Sequence, residues 1–311
     1  MVAENRVESS RLIWPVFVVP GKNIKEPIAS MPGQFRYSID ELIKKIRTPS
    51  PLVGEGRGEG LGGLLLFGVP DKKDPHAQSA TQKDSLVAQA INSIKETAPN
   101  TLVITDVCLC AYTDHGHCGL LDKKGEIQND ASLEVLAEMA LRHAEAGADM
   151  VAPSDMLDGR IKIMRKTLDE TGFSETPIMS YAAKYASAFY GPFRDAAHSA
   201  PASGDRKSYQ MNPANVREAL REMKADEEEG ADILMVKPAG SYLDIIAAAR
   251  QRFDLPIAAY QVSGEYSMIK AAAQNGWIDE KQAVAESLLS IKRAGADIII
   301  TYFAKDYSSP L

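Results

Sequence analysis

Apolar residues along this chain fall into short, evenly spaced runs. Eight stand out: 12–19, 63–69, 101–107, 149–153, 177–181, 232–237, 256–260 and 297–302. Within each run the apolar residues follow one another almost without a break. A strand with one wet face alternates apolar and polar positions, whereas a strand covered on both faces does not. The runs therefore read as strands of a buried parallel sheet. Between them the apolar positions take a helical period. Residues 131–142 carry an apolar stripe behind Asp130, a candidate N-cap, and residues 282–293 repeat the pattern.

A short repeat ties helix to strand. Ala146-Gly147-Ala148-Asp149, Glu229-Gly230-Ala231-Asp232 and Ala294-Gly295-Ala296-Asp297 each close a helical stretch and open an apolar run. Glycine just past a helix end adopts the left-handed conformation that stops the helix. One unit is thus used repeatedly, and eight strands with intervening helices predict a (β/α)8 barrel, a single domain over residues 1–311. The rival is a doubly wound open sheet. Residues 48–63 fit neither, being rich in Gly and Pro. They include Gly58-x-Gly60-x-x-Gly63, a formal dinucleotide-binding match, but it follows a helix and opens a strand, the reverse of what that motif requires. A surface loop or insertion is expected there.

Composition narrows the class. The 311 residues are 45% hydrophobic and 25% charged, enough apolar residue for a full core and too ordered a balance for a disordered or disulfide-scaffold chain. The net charge of −7 argues against a general nucleic-acid binder and leaves room for a local basic pocket. No apolar run is long enough for a membrane span, and the N-terminus has no signal-peptide core. The cytoplasm is the expected location.

The cysteines carry the sharpest chemical signal. All three, Cys108, Cys110 and Cys118, fall in one stretch just past the third run, with His115 and His117 between them. Active sites of such barrels sit where strands end, and thiolates with nearby imidazoles suit zinc. Three thiolates plus water make an open site; His115 or His117 would close it. Two lysines also end or follow runs. Lys237 closes the run at 232–237, and Lys184 lies just beyond 177–181. A Schiff base needs neutral amine, which burial and a second nearby cation both favour. The stretch from Phe193-Arg194-Asp195 to Asp205-Arg206-Lys207 reads as a basic lid for a carboxylate. Ser263 follows the run at 256–260 and Tyr302 closes the last, and Asp106 adjoins the cysteines as a proton shuttle or amine ligand. Glu222 on its own reads as a charge on a helix surface.

Taken in order, these segments resemble the porphobilinogen synthase (5-aminolevulinate dehydratase) family, in its zinc-dependent branch. The likeness rests on Ser30-Met31-Pro32-Gly33, Leu66-Phe67-Gly68-Val69-Pro70, the cysteine stretch, and Ala152-Pro153-Ser154-Asp155-Met156-Leu157-Asp158-Gly159-Arg160. It continues through Met179-Ser180-Tyr181-Ala182-Ala183-Lys184-Tyr185, Gly191-Pro192-Phe193-Arg194-Asp195, Gln210-Met211-Asn212-Pro213, Met235-Val236-Lys237-Pro238-Ala239 and Tyr260-Gln261-Val262-Ser263-Gly264-Glu265-Tyr266. The resemblance implies a (β/α)8 barrel that condenses two 5-aminolevulinate molecules to porphobilinogen with loss of two waters, an early step toward haem and other tetrapyrroles. It implies Schiff bases on Lys184 and Lys237, with Asp106 beside them, and zinc on Cys108, Cys110 and Cys118. It places one substrate carboxylate on Arg194 and Arg206 and the other on Ser263 and Tyr302, with Tyr181, Phe193 and Gln210 as further substrate contacts. It also implies magnesium on Glu222 at an allosteric subunit contact in a homo-oligomer, an octamer or hexamer. The family usually carries an N-terminal arm ahead of the first strand, and only about ten residues precede Leu12 here. Competing readings are a class I aldolase-type barrel and a barrel whose metal centre is purely structural.

Overall fold

The computed structural model describes residues 2–47 and 60–307. Its eight long strands are β1 (Leu12–Val18), β2 (Gly63–Gly68), β3 (Val103–Val107), β4 (Met150–Pro153), β5 (Met179–Lys184), β6 (Ile233–Lys237), β7 (Ile257–Gln261) and β8 (Ile298–Thr301). Each overlaps one of the eight apolar runs, and β5 continues past the run at 177–181 to take in Lys184. All pair in parallel, in the order β4-β3-β2-β1-β8-β7-β6-β5. The two ends meet at a parallel bridge between Val151 and Ile178, where the Val151 N–H donates to the Pro177 carbonyl at 3.1 Å. That bridge closes the sheet. The fold is a (β/α)8 barrel, and the doubly wound alternative is excluded. Strands β1, β2, β5, β6 and β7 are buried at every position, because side chains fill the barrel on one face and helices cover the other.

The outer layer contains α1 (Ile39–Arg47), α2 (Leu86–Thr97), α3 (Asn129–Glu145), α4 (Arg160–Glu170), the short α5 (Gly191–Ala196), α6 (Arg217–Glu228), α7 (Leu243–Arg252), α8 (Ser263–Gln274) and α9 (Glu280–Ala294). The α3 helix begins earlier than its apolar stripe suggests. Gln128 holds the N-cap position and Asp130 lies in the first turn, where its charge still complements the helix dipole. Among the described residues, no helix is long and apolar enough to cross a membrane. Of the Gly/Pro-rich stretch, residues 48–59 lie outside the described residues; Gly63 opens β2 and not a helix.

The Gly-Ala-Asp repeat has a geometric reason. Gly147, Gly230 and Gly295 take φ of 95°, 103° and 121° and turn the chain out of α3, α6 and α9. Each following aspartate then grips the start of the preceding strand. The Asp149 N–H donates to the Val103 carbonyl at 2.9 Å, and Asp149 Oδ2 accepts from the Val103 N–H at 2.7 Å. Asp232 does the same to Ile178 (2.9 and 2.8 Å) and Asp297 to Ile257 (2.7 and 2.9 Å). The carboxylate satisfies a strand-opening N–H that would otherwise be orphaned, and so sets the register of the new strand.

A hairpin of Lys25–Pro27 and Phe35–Tyr37 stands beside β1, with Arg36 opposite Phe17. Arg36 is almost fully buried. Its Nε donates to the Ala196 carbonyl and its Nη2 to the Asp195 carbonyl, both at 2.7 Å. It therefore caps the C-terminal end of α5 with a cation.

Candidate active site

Strand ends bring most of the predicted residues to one mouth of the barrel. Asp106 sits near the end of β3, Lys184 ends β5, Lys237 ends β6, Ser263 follows β7 and Tyr302 follows β8. Lys184 and Lys237 are register partners across β5 and β6. Their side chains are buried. Lys184 Nζ donates to the Ser154 carbonyl just past β4. Lys237 Nζ lies 4.1 Å from the centroid of the Tyr260 ring, 5.0 Å from Tyr181, 5.2 Å from Phe193 and 5.4 Å from Tyr190. Burial in this cage, and then the like charge of Lys184, push the Lys237 ammonium down from its ordinary value to about 7. Burial lifts the Asp106 carboxyl to about 6, against the pull of a hydrogen bond from Ser154 and of both lysines. The site therefore holds an amine and a carboxyl that both exchange protons near neutrality.

The three thiols form a second cluster beside the lysines. Their sulfur atoms all lie within 4.8 Å of one another, buried and without a disulfide. Hydrogen bonds from Cys108 and Cys110, with Arg206 and Lys184 nearby, hold Cys118 well below the ordinary thiol range. Among the described residues this is the one group of metal-ligating type, and neither histidine joins it. His117 is committed elsewhere. Its Nε2 bonds the Ser203 carbonyl at 3.0 Å, which fixes the proton there, and its Nδ1 accepts from the Tyr209 hydroxyl at 3.1 Å. His115 Nδ1 accepts from the His117 N–H at 3.1 Å. Three close, ionisable thiols form a donor set that could hold a soft metal ion, with a position left for water or substrate.

The lid is packed down over this cluster. Arg206 is buried, and its Nη2 donates to the carbonyls of Gly116 at 2.7 Å and Ser199 at 2.6 Å. The Ala202 N–H donates to the His115 carbonyl at 3.0 Å. The Tyr209 hydroxyl accepts from the Cys118 N–H at 3.5 Å. The other end of the lid rests on α8, where Ser263 Oγ accepts from the Phe193 N–H at 2.9 Å and donates to the Phe189 carbonyl at 3.3 Å. Phe193 roofs the barrel against Phe17 and Phe67. Arg194, Arg206 and Gln210 line one cavity of about 650 Å³. Tyr302 stacks on Phe17, its hydroxyl 3.1 Å from that of Tyr260.

Five of these side chains hold a buried polar atom with no partner among the described residues: Asp106 Oδ1, the Tyr181 hydroxyl, Arg194 Nε, Arg206 Nε and Gln210 Nε2. Such atoms are costly in a core, and a bound ligand is one way to supply their missing bonds. Glu222 does not join them. It sits on α6 in a neighbouring cleft with Asp158 and Glu218, which Gln210 and Tyr209 of the lid also line, its carboxyl raised by burial and by Asp158.

Sequence reasoning passed over Ser154, Tyr190, Tyr209 and Tyr260. Ser154 and Tyr260 stand in segments that carry the family likeness, and Tyr260 also ends an apolar run; Tyr190 and Tyr209 carry no such signal.

The delta-aminolevulinic acid dehydratase family model matches residues 1–309. The chain belongs to this family. It is thus an enzyme, a hydro-lyase of porphyrin biosynthesis. It is 53% identical over 306 residues to the delta-aminolevulinic acid dehydratase of Halalkalibacterium halodurans, covering 98% of this chain and 91% of that one. Against the Methanothermobacter thermautotrophicus protein of the same name, identity is 54% over 308 residues, with 98% and 91% covered. Among solved structures, the Toxoplasma gondii porphobilinogen synthase in complex with porphobilinogen superimposes with a TM-score of 0.93 at 47% identity, covering 98% of this chain and 86% of that one.

Proposed function

We propose that this dehydratase condenses two molecules of 5-aminolevulinate to porphobilinogen, releasing two waters, with Lys184 and Lys237 as paired Schiff-base nucleophiles. The observation that carries the reading is the register pairing of the two buried lysines, one of them caged and held near neutrality. An amine attacks a ketone only when neutral, and an isolated lysine at pH 7 is almost wholly protonated.

Each lysine nitrogen forms a bond to the ketone carbon of one substrate, and the carbonyl oxygen leaves as water. The protonated imine withdraws electrons from the carbon beside it, so that carbon gives up a proton, which Asp106 takes. The resulting carbon nucleophile bonds to the imine carbon of the other substrate, and that lysine leaves. The free substrate amine then displaces the second lysine, closing the ring, and a last proton loss makes it aromatic. Holding two identical substrates head to tail supplies the entropic advantage.

Arg194, Arg206 and Gln210 take one carboxylate in the lid cavity. Ser263 and Tyr302 take the other beside Lys237, and Tyr181 and Phe193 form the walls. Cys108, Cys110 and Cys118 would hold zinc, which supplies Lewis-acid polarisation when bound. Glu222 would bind magnesium at a contact between subunits of a homo-oligomer.

The test mixes the protein with 5-aminolevulinate and zinc, with and without a chelator, and reads pyrrole by an aldehyde colour reaction. Colour that disappears with chelator is the expected result. Colourless mixtures throughout, or borohydride treatment that adds substrate mass to neither lysine, overturn the proposal.

A further inference from the structure

Glu265 is buried in the first turn of α8 and is given no part in the reaction above. Its carboxylate is spent on backbone donors from two segments, Val262 on one side and Gly240 with Ala239 on the other. Oε2 accepts from the Val262 N–H at 2.7 Å, and Oε1 accepts from the Gly240 N–H at 2.6 Å. Gly240 lies in the chain leaving β6, just beyond Lys237. The ladder between β6 and β7 runs only as far as Val236 opposite Ala259. On the β5 side the strand end is still held, because the Tyr185 N–H donates to the Lys237 carbonyl at 2.9 Å. On the β7 side the Glu265 carboxylate takes over where the ladder stops.

Two features make this contact specific. A Cβ at Gly240 would lie 2.4 Å from Glu265 Oε1, so any side chain there would push the carboxylate off its donors. The donors fall on both carboxylate oxygens, so an amide in its place would set its own NH2 against one of them. Burial lifts the Glu265 carboxyl to about 7, and the backbone donors with the N-terminal end of α8 pull the other way, toward the charged form that makes the stronger bonds. The same helical turn carries Ser263, which holds Phe193 of the Lys237 cage.

We propose that Glu265 is a positioning residue: by clamping the β6 exit loop to the first turn of α8, it sets where Lys237 stands relative to the substrate carbonyl. The inference rests on the Schiff-base reading of Lys237. A displacement of about 1 Å at a reacting atom can cost about a hundredfold in rate. Loss of the clamp therefore shows at Lys237 and leaves Lys184, held by Ser154, unaffected.

The experiment is site-resolved borohydride trapping of 5-aminolevulinate, read by peptide mass spectrometry on wild type, Glu265→Gln and Gly240→Ala, each checked for a native circular dichroism spectrum. In Glu265→Gln, initial labelling of Lys237 falls by about tenfold or more while labelling of Lys184 stays within about twofold. Gly240→Ala, which drives a methyl group into Oε1, gives the same selective loss without altering the acid, and stands in should the first variant not fold. Equal loss at both lysines, or wild-type labelling of Lys237 in the variants, overturns the positioning role. Wild-type protein that labels at neither lysine instead overturns the Schiff-base reading, and this inference with it.

Discussion

Lys184 and Lys237 face each other at the same rung of two neighbouring parallel strands. Two ammonium groups so placed in a buried site repel, and the cheaper state leaves one neutral. Lys237, inside its aromatic cage, is the one pushed down to about 7. Borohydride trapping at Lys237 is therefore constant well above pH 7 and falls about tenfold per unit well below it. Replacing Lys184 by Met removes the neighbouring charge and moves that midpoint upward. An unchanged midpoint would show that burial alone sets it.

The same proton enters stability. Lys237 has a folded pKa of about 7 and an ordinary value of 10.5, so between these limits the unfolded chain carries the proton and the folded chain does not. Stability from this group thus rises with pH across that window, by up to about 1.4 kcal/mol per unit, and is flat below it. Lys237→Met abolishes this contribution. Urea melts of both proteins at several pH values should converge toward pH 10 and separate toward pH 7, with the variant the more stable.

The cysteine trio gives a prediction that does not depend on turnover. Cys118→Ala removes one of three mutually close donors. Protein dialysed with zinc and then desalted should drop from about one metal ion per chain to nearly none. The loop should persist, because Thr113 Oγ1 still donates to the His117 carbonyl and the Leu120 N–H to Ser132 Oγ. The cost in stability is about 1 kcal/mol. Full metal content in the variant would place the ion elsewhere.

Arg194 and Arg206 share a cavity but differ in duty. Arg206 bonds Gly116 and Ser199 as well as facing the cavity. Arg206→Met should raise the KM for 5-aminolevulinate by about thirtyfold, equivalent to about 2 kcal/mol, and also speed tryptic cutting at Lys207. Arg194→Met should raise KM and leave the cutting rate unchanged. Parallel behaviour of the two variants would remove the distinction.

Asp232 tests the meaning of the Gly-Ala-Asp repeat. Asp232→Ala strands the Ile178 N–H next to the bridge that closes the barrel. A loss of about 1–2 kcal/mol in urea unfolding is expected, with activity per folded molecule intact. A neutral result would reduce the aspartate to a surface charge.

The barrel was readable because strands covered on both faces have no polar positions to interrupt them, so all eight apolar runs became strands. The cysteines, Lys184 and Lys237 were readable because their chemistry is rare and they stand at or near strand ends. The basic character of the lid is legible in its arginines and lysine, but its attachment is not. Tyr209 and Ser203 reach His117 across a long stretch of chain, and nothing local in either segment announces the contact. Ser263 was read through its hydroxyl alone; its grip on Phe193 depends on α8 and α5 meeting in space. Glu265 passed unnoticed for a related reason: an acid in the first turn of a helix looks ordinary until the loop it holds is known.

The roof over the thiols also sets a clock. Cys108, Cys110 and Cys118 are 2%, 6% and 0% exposed, beneath a lid fastened to their own loop by Tyr209, His117 and Arg206. A reagent in solution meets them only when those fastenings release together. Modification by a bulky thiol reagent should then reach a ceiling as its concentration rises, and the ceiling is the rate at which the roof lifts.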